Sequence, residues 1–183
     1  MVKKVLMFIA PGTEATEFIA TYDILKRANI EVTLLGENYH MFDFDNHVSV
    51  FSMESYSFEE YDTLIFPGGR RGVDWMINRL VNNVKGDEIK EFFLSKKLVA
   101  AICAAPSLLG KLGLLKDRNF TCYPGFEGDF YQGNYTAKEI EIDRNLITGR
   151  SMYYSVDFGL AIVEYLLGQD ERLRVEKQVK GLK

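Results

Sequence analysis

Leu98–Ile102 is a continuous apolar run that passes directly into Cys103 and then into the start of a helix. An apolar run of this length, without polar alternation, is typical of a strand buried on both faces of a parallel sheet. Pro106 suits a first helical turn, and leucines at helical spacing follow it. A strand that must be covered on both sides restricts the chain to layered α/β folds.

Similar strand and helix patterns alternate along the whole chain. The strands are predicted at Lys4–Ala10, Glu31–Leu35, Thr63–Phe66, Leu98–Ile102 and Asn119–Tyr123, with a hairpin of Glu139–Ile142 and Leu146–Thr148. The helices are predicted at Glu14–Ala28, Asp87–Lys96 and Val156–Leu167, and in the solvated tail Arg172–Lys183. Asn38–Phe51 is predicted to be an excursion with β-structure at its two ends. The alternation predicts a single α/β domain over 1–183, doubly wound, with a mostly parallel sheet and helices on both faces.

Composition narrows the class of protein. With 183 residues, 47% of them hydrophobic, the chain has enough apolar material for one globular core. A net charge of -4 and a pI near 5.3 argue against a nucleic-acid partner. No segment approaches the roughly 20 apolar residues that span a membrane, and the N-terminal run suits a buried strand better than a secretory signal. Two cysteines do not make a disulfide framework, so we expect a cytoplasmic protein.

Cys103 is the candidate nucleophile. The small residues Ala101 and Ala105 flank it with the spacing of a nucleophile elbow, a sharp turn that places a side chain at a helix N-terminus. Reactive cysteines have a pKa of roughly 3.5 to 7.5, against about 8.5 for a free thiol. A helix N-terminus contributes at most about 2 kcal/mol towards that change, so a further neighbour must stabilise the anion. The alternative is an inert cysteine in the core.

Other candidate groups follow the same edge of the predicted sheet, where ligands bind in open parallel sheets. Gly68 and Gly69 come after one strand, and the N–H groups of Gly69 and Ala104 would form an oxyanion site. The alternative for the two glycines is a plain tight turn. Glu14 suits the first turn of its helix, whereas Glu17 lies one turn later and, if buried beside the sulfur, would have a raised pKa and donate a hydrogen bond.

The motifs Pro67-Gly68-Gly69 and Ala101-Ile102-Cys103-Ala104-Ala105-Pro106, with the early Glu17, resemble the ThiJ/PfpI superfamily. Within it they resemble the branch of the human parkinsonism-associated deglycase, and the similarity extends through Thr148-Gly149-Arg150 to the closing helix. This resemblance implies a flavodoxin-like homodimer in which Cys103 is an oxidisable nucleophile and Glu17 its hydrogen-bond donor. It further implies oxyanion amides at Gly69 and Ala104, with Gly68 beside them. Arg27 and Arg150 match positions near the site or the dimer contact.

Two positions depart from the family pattern. Tyr123 precedes Pro124 where better-known relatives carry a histidine, and a phenol donates a hydrogen bond but is a poor base at neutral pH. Ala104 follows the cysteine where protease-like members have a histidine, which removes the Cys–His pair of a peptidase. If a proton is shuttled in this site, we therefore expect Glu17 to carry it.

Three functions remain open. The leading hypothesis is a cofactor-independent glyoxalase or deglycase in which Cys103 attacks small reactive carbonyls such as methylglyoxal. The alternative is a redox sensor or chaperone, active in oxidative stress, in which Cys103 is oxidised to the sulfinic acid. The third is a peptidase-like or amidase-like hydrolase, or a protein that carries only a thiazole-biosynthesis label.

The remaining polar residues carry weaker predictions. His40 and His47 are interpreted as surface residues, although His47 would reach a partner's site if its loop lines a dimer contact. Their number and spacing predict no metal site, and a nucleotide-binding motif is absent. Arg70 and Arg71 are interpreted as a solvated loop, with attraction of an anionic substrate as the alternative. Cys122 is expected to be a core thiol if its neighbour Tyr123 faces the site.

Overall fold

The computed structural model describes residues 2–36, 50–51, 57–81, 84–128 and 131–182. Its strands are β1 (Lys4–Phe8), β2 (Glu31–Leu35), β3 (Val50–Phe51), β4 (Thr63–Phe66), β5 (Leu98–Ile102), β6 (Asn119–Phe120), β7 (Asn134–Tyr135), β8 (Ile140–Asp143) and β9 (Leu146–Gly149). Its α-helices are α1 (Ala15–Arg27), α2 (Arg70–Leu80), α3 (Val84–Leu94), α4 (Pro106–Lys111), α5 (Ser155–Leu167) and α6 (Gln169–Val179).

Seven of the described strands form one sheet, in the order β3-β2-β1-β4-β5-β9-β8. All neighbouring pairs in it are parallel except β8 and β9, which form an antiparallel hairpin. From β1 the chain proceeds to β2 on one side, and later returns to β4 on the other. The chain therefore changes direction between β1 and β4, and at such a point an open α/β sheet leaves a crevice beyond its strand ends.

Alternate residues of the central strands serve two separate cores, one on each face of the sheet. Leu6 and Phe8 of β1 belong to the core on the side of α2, α3 and α4. Val5 and Met7 of the same strand belong to the core on the side of α1, α5 and α6. The period of two along a strand produces this division. Both faces of the sheet are covered, which explains why the central strands are continuously apolar.

The predicted fold class is confirmed, and most elements lie where the sequence placed them. Strands β2, β4 and β5 have the predicted bounds. The prediction for Arg70 and Arg71 was wrong, because both belong to the first turn of α2 rather than to a loop. The strand predicted to reach Tyr123 ends at Phe120, and its partner β7 was not predicted. Of the predicted excursion, only Val50–Phe51 lies within the described residues, and there it is a strand.

The sequence predicted no segment long and apolar enough to span a membrane, and the lengths and polarity of the helices bear on this prediction. Among the described residues, every helix is too short or too polar to cross a bilayer.

Candidate active site

The candidate residues come from the ends of strands β4 and β5 and from helix α1, which follows strand β1. In the parallel pairing of β4 with β5, Phe66 lies opposite Ala101. Gly68 and Cys103, each two residues further along, therefore leave the sheet side by side. Strand β1 lies on the other side of β4, and the helix that follows it, α1, carries Glu17. The site thus lies at the point where the chain changes direction.

The backbone at Cys103 makes an unusual turn. Its φ is 63°, in the left-handed region that residues other than glycine rarely adopt. Its N–H donates to the Gly149 carbonyl (2.9 Å), and its carbonyl accepts from the Tyr123 N–H (2.8 Å). Helix α4 begins three residues later, at Pro106. The peptide groups on both sides of Cys103 are therefore held, and its side chain is partly exposed.

Glu17 is the buried partner of this cysteine. Its side chain is fully buried, and Oε2 accepts a hydrogen bond from the Gly68 N–H at 2.7 Å. The other oxygen, Oε1, is also buried and has no aligned hydrogen-bond partner among the described residues. Because Oε2 already accepts from an N–H, a proton on this carboxyl is better placed on Oε1. Glu17 can therefore accept a proton or return one on its unoccupied oxygen.

Gly68 is required by the close approach of these two side chains. A Cβ at this position would lie 2.6 Å from Glu17 Oε2 and 2.7 Å from the Cys103 Cβ. Both distances are shorter than van der Waals contact. Any larger residue would separate the carboxyl from the cysteine, so the Gly68-Gly69 pair does more than form a tight turn.

The pKa values of the two groups are coupled. Burial raises the pKa of Glu17 to about 7, while the interactions with Cys103 and with the Gly68 amide oppose the increase. Burial also raises the pKa of the Cys103 thiol to about 12, together with the charge of Glu17 and the hydrogen bond to it. The N–H groups of Gly69 and Ala104 interact with the sulfur and act in the opposite direction. Below about pH 7 both groups therefore hold a proton, and above it the carboxyl is ionised while the thiol stays protonated.

Burial therefore favours the protonated thiol, the opposite direction from the lowered pKa that the sequence predicts. Loss of solvent around Cys103 outweighs the two amides, and helix α4 is only six residues long. With Glu17 ionised, the thiol keeps its proton. The sulfur would become an anion only if its proton moved to Glu17, so the carboxyl is placed to act as a base towards the thiol.

A pocket of about 500 Å³ opens over the pair, within the usual range for small-molecule sites. Its lining combines charged and polar side chains with aromatic and apolar ones. The lining residues are Glu14, Glu17, Gly69, Arg70, Cys103, Ala104, Tyr123, Phe126, Ser151, Met152 and Tyr153. Phe126, Met152 and Tyr153 were not predicted, because aromatic residues in turns carry no motif.

The structure separates the other candidates from this pocket. Arg27 lies in the last turn of α1 and pairs with Asp23 at 2.6 Å, at the opposite end of the helix from the site. Arg150 directly follows β9, and its side chain donates to the Ala137 carbonyl rather than lining the pocket. Cys122 is fully buried while Tyr123 lines the pocket, as expected for a core thiol. His40 and His47 lie outside the described residues.

Metal-ligating side chains are dispersed in this part of the molecule. Within the described ranges, no group of three or more His, Cys, Asp and Glu side chains is placed to hold a metal ion.

The fold and this site define a class: flavodoxin-like α/β proteins with a cysteine beside a buried carboxyl at the carboxyl edge of the sheet. The chain belongs to the DJ-1/PfpI family, whose model matches residues 3–165. The family assignment that the sequence motifs indicated is thereby confirmed.

Individual relatives match over nearly their whole length. The chain is 33% identical to protein dj-1beta of Drosophila melanogaster, covering 100% of this chain and 97% of that protein. The crystal structure of Drosophila melanogaster DJ-1beta superposes with a TM-score of 0.81 at 31% identity, covering 98% of each chain. The chain is also 29% identical to the glutathione-independent glyoxalase DJ-1 of Schizosaccharomyces pombe, covering 96% of this chain and 97% of that one.

Proposed function

We propose that this protein is a glutathione-independent glyoxalase that converts small α-oxoaldehydes, such as methylglyoxal, into 2-hydroxy acids. The observation that carries the proposal is the Glu17–Cys103 pair: a buried carboxyl, its pKa raised to about 7, interacts with a partly exposed thiol at a pocket. A relative with 29% identity bears the name of this activity. Any related deglycase activity would use the same cysteine and the same carboxyl.

The first step is addition of sulfur to the aldehyde carbon. The Glu17 carboxylate accepts the thiol proton as the sulfur attacks, and the C=O electron pair moves to oxygen. The N–H groups of Gly69 and Ala104 lie beside the sulfur and stabilise this developing oxyanion. Protonated Glu17 then returns this proton to the oxyanion, which gives a hemithioacetal on Cys103 and leaves Glu17 ionised for the next step.

The following steps transfer hydrogen within the substrate. Glu17 removes the proton from the former aldehyde carbon, and a proton is returned to the neighbouring former ketone carbon. The first carbon is thereby oxidised to a thioester and the second reduced to an alcohol, so no outside oxidant or reductant is consumed. Water then cleaves the thioester, and the thiol and the 2-hydroxy acid are released.

The decisive experiment replaces the nucleophile. Cys103→Ser should lower methylglyoxal turnover by more than about 10³-fold, because a serine hydroxyl is far less nucleophilic than a thiol next to this base. The matched control is Cys122→Ala, which removes the other free thiol, buried outside the pocket, and should keep the activity. Lactate release from Cys103→Ser at the wild-type rate would refute the mechanism.

A second candidate function uses the same geometry without turnover. We propose as the alternative that peroxide oxidises Cys103 to the sulfinic acid, whose oxygens would accept from protonated Glu17 and from the two amides. The partial exposure of Cys103 supports it, since peroxide must reach the sulfur. Intact-mass analysis after mild peroxide treatment distinguishes the two: two added oxygens confined to Cys103, with negligible methylglyoxal turnover, favours the sensor.

The peptidase hypothesis receives no support from the pocket, since its described lining residues include no histidine to pair with the cysteine. We propose further that the protein acts as a homodimer. We also propose that it functions in the cytoplasm, because both candidate functions require a reduced thiol at Cys103.

A further inference from the structure

We propose that the preferred substrates are α-oxoaldehydes with a bulky apolar substituent, aryl above all, rather than methylglyoxal itself. This inference rests on the proposed function and assigns its substrate class. It is based on the lining of the pocket, in which the reacting groups are joined by a large apolar and mostly aromatic surface, here called the wall: Tyr123, Phe126, Met152 and Tyr153.

Pocket size is the first argument. The cavity measures about 500 Å³. Methylglyoxal has five non-hydrogen atoms and occupies on the order of 100 Å³, on the scale of about 30 Å³ for one water in the liquid. Once its aldehyde carbon is bonded to Cys103, most of the pocket would remain unfilled. A phenyl group in place of the methyl group would use that space.

Each of the two segments that supply the wall is hydrogen-bonded, at one point of its backbone, to a peptide group of Cys103. The Tyr123 N–H donates to the Cys103 carbonyl at 2.8 Å. The Gly149 carbonyl accepts from the Cys103 N–H at 2.9 Å, and the chain continues from Gly149 into the turn that contains Met152 and Tyr153. The wall is therefore placed to contact whatever substituent the reacting carbonyl carries.

The composition of the wall favours an aromatic group. Tyr123 is 49% exposed, Met152 is 48% exposed and Tyr153 is 82% exposed. Tyr123 and Phe126 meet edge to face, with ring centroids 6.5 Å apart. Exposed aromatic rings and a thioether next to a nucleophile supply favourable contacts for a substrate ring, both edge-to-face and sulfur–aromatic.

The charges on the polar side argue against an anionic substituent. Arg70 is exposed on the pocket lining, but Glu14 lines the same pocket. With Glu17 neutral the charges of these three side chains sum to zero, and with Glu17 ionised they sum to -1. The pocket therefore offers no net attraction for a carboxylate or phosphate on the substrate, so an uncharged substituent is preferred.

The reaction with an aryl substrate balances as it does for methylglyoxal. Phenylglyoxal and one water give mandelate: the aldehyde carbon is oxidised to the carboxylic acid, and the ketone carbon is reduced to the alcohol. Cys103 and Glu17 are returned to their starting forms. No co-reactant other than water is needed.

The test compares kcat/KM for phenylglyoxal and methylglyoxal in three proteins: wild type, Tyr153→Ala and the matched control Tyr165→Ala. Tyr165 is an exposed tyrosine on α5, and it does not line this pocket. The ratio of the two kcat/KM values, compared between proteins, cancels the intrinsic reactivity of the two aldehydes. Loss of the wall contact should lower this ratio by about tenfold in Tyr153→Ala, the scale of one aromatic contact, and leave it unchanged in Tyr165→Ala. Met152→Ala, measured in the same way, covers the case in which Tyr153→Ala does not fold.

Each outcome decides the matter. A ratio unchanged in both wall variants overturns the inference but leaves the glyoxalase function standing. Turnover of neither aldehyde by the wild-type protein rejects the glyoxalase function and this inference with it. A preference for 4-carboxyphenylglyoxal over phenylglyoxal refutes the charge argument and overturns the inference. If Tyr153→Ala instead changes the sedimentation mass while the ratio stays constant, the wall is a subunit contact, and the inference also fails.

Discussion

At the scale of single residues, the Glu17–Cys103 pair determines how activity should depend on pH. The active form holds one proton between the two groups, and it is formed when the pair loses its first proton, near the Glu17 pKa of about 7. We predict that kcat/KM for methylglyoxal rises about tenfold per pH unit below this value and levels off above it. Initial rates measured from pH 5 to 9 test this, and a flat or falling profile would contradict it.

Ionisation of the buried Glu17 carboxyl should also lower the free energy of unfolding above neutral pH. A folded-state pKa of about 7, against 4.5 for an unperturbed glutamate, means that the native state binds more protons between these values. The contribution is fully present below about pH 4.5 and is lost as pH rises through about 7. Glu17→Gln keeps a neutral side chain at all pH values. We therefore predict that its free energy of unfolding, relative to wild type, increases by about 2–3 kcal/mol between pH 5 and pH 8.

Urea unfolding of both proteins at the two pH values measures this difference. The same variant should lose about 10²–10⁴-fold in kcat/KM, because an amide cannot carry the proton. If Glu17→Gln is more stable than wild type at pH 8 and yet less active, the loss of activity cannot be the result of a folding defect. An equal difference in stability at pH 5 and pH 8 would show that Glu17 is ionised throughout this range.

A site residue can be predicted from the sequence when the neighbouring residues along the chain determine its position. Cys103 was predicted because the strand and the helix on either side of it have clear patterns, and Gly69 and Ala104 followed from the same strand ends. Glu17 was placed by its distance from a helix start. Met152 and Tyr153 were missed because their place in the pocket depends on how β9 lies beside β5, which is a tertiary contact. The effect of burial on the thiol pKa was not visible in the sequence, because burial is likewise a tertiary property.

At the scale of elements, α1 carries Glu17 and is held in place by α5. Gly159 of α5 faces α1 so closely that a Cβ there would lie 2.9 Å from the Ile24 Cβ. We predict that Gly159→Leu lowers the free energy of unfolding by about 1–3 kcal/mol, because the two helices must separate to admit the side chain. Chemical unfolding measures the loss. Val156→Ala, at an exposed position of the same helix, should change stability by less than about 0.5 kcal/mol.

The missed helix α2 shows a different limit. Val73, Met76, Ile77 and Leu80 follow Arg70 at helical spacing, and the structure buries three of them: Val73, Met76 and Leu80. The pattern was therefore present in the sequence. It was obscured because the helix starts directly after Gly69, without a capping side chain, and has two arginines in its first turn. A short helix with a polar first turn is easily missed when helices are predicted from apolar residues alone.

At the scale of the whole molecule, the layered fold followed from the sequence more completely than the site did. Apolar runs and their helical connections are local patterns, and together they determine which strands need cover on both faces. Local patterns leave the order of the strands open, and it is this order that brings β1, β4 and β5 together under the pocket.

The proposed homodimer is a prediction at this scale. Ile19 of α1 is 40% exposed, and Ile142 of β8 is 50% exposed, so large apolar side chains outside the pocket are available for an interface. We expect sedimentation equilibrium to give a mass of twice 21.0 kDa. A mass of 21.0 kDa at all concentrations tested would refute the dimer, although the chemistry of the pocket would be unaffected.

The proton on the Cys103 thiol has a practical consequence for anyone surveying reactive cysteines across a proteome. Iodoacetamide and similar alkylating reagents label in proportion to the anion already present, and this sulfur carries almost none until a carbonyl is at hand to react with it. We expect such surveys to under-report this cysteine. Aldehyde-bearing labels, whose capture transfers the thiol proton to the neighbouring carboxylate, should label it more efficiently.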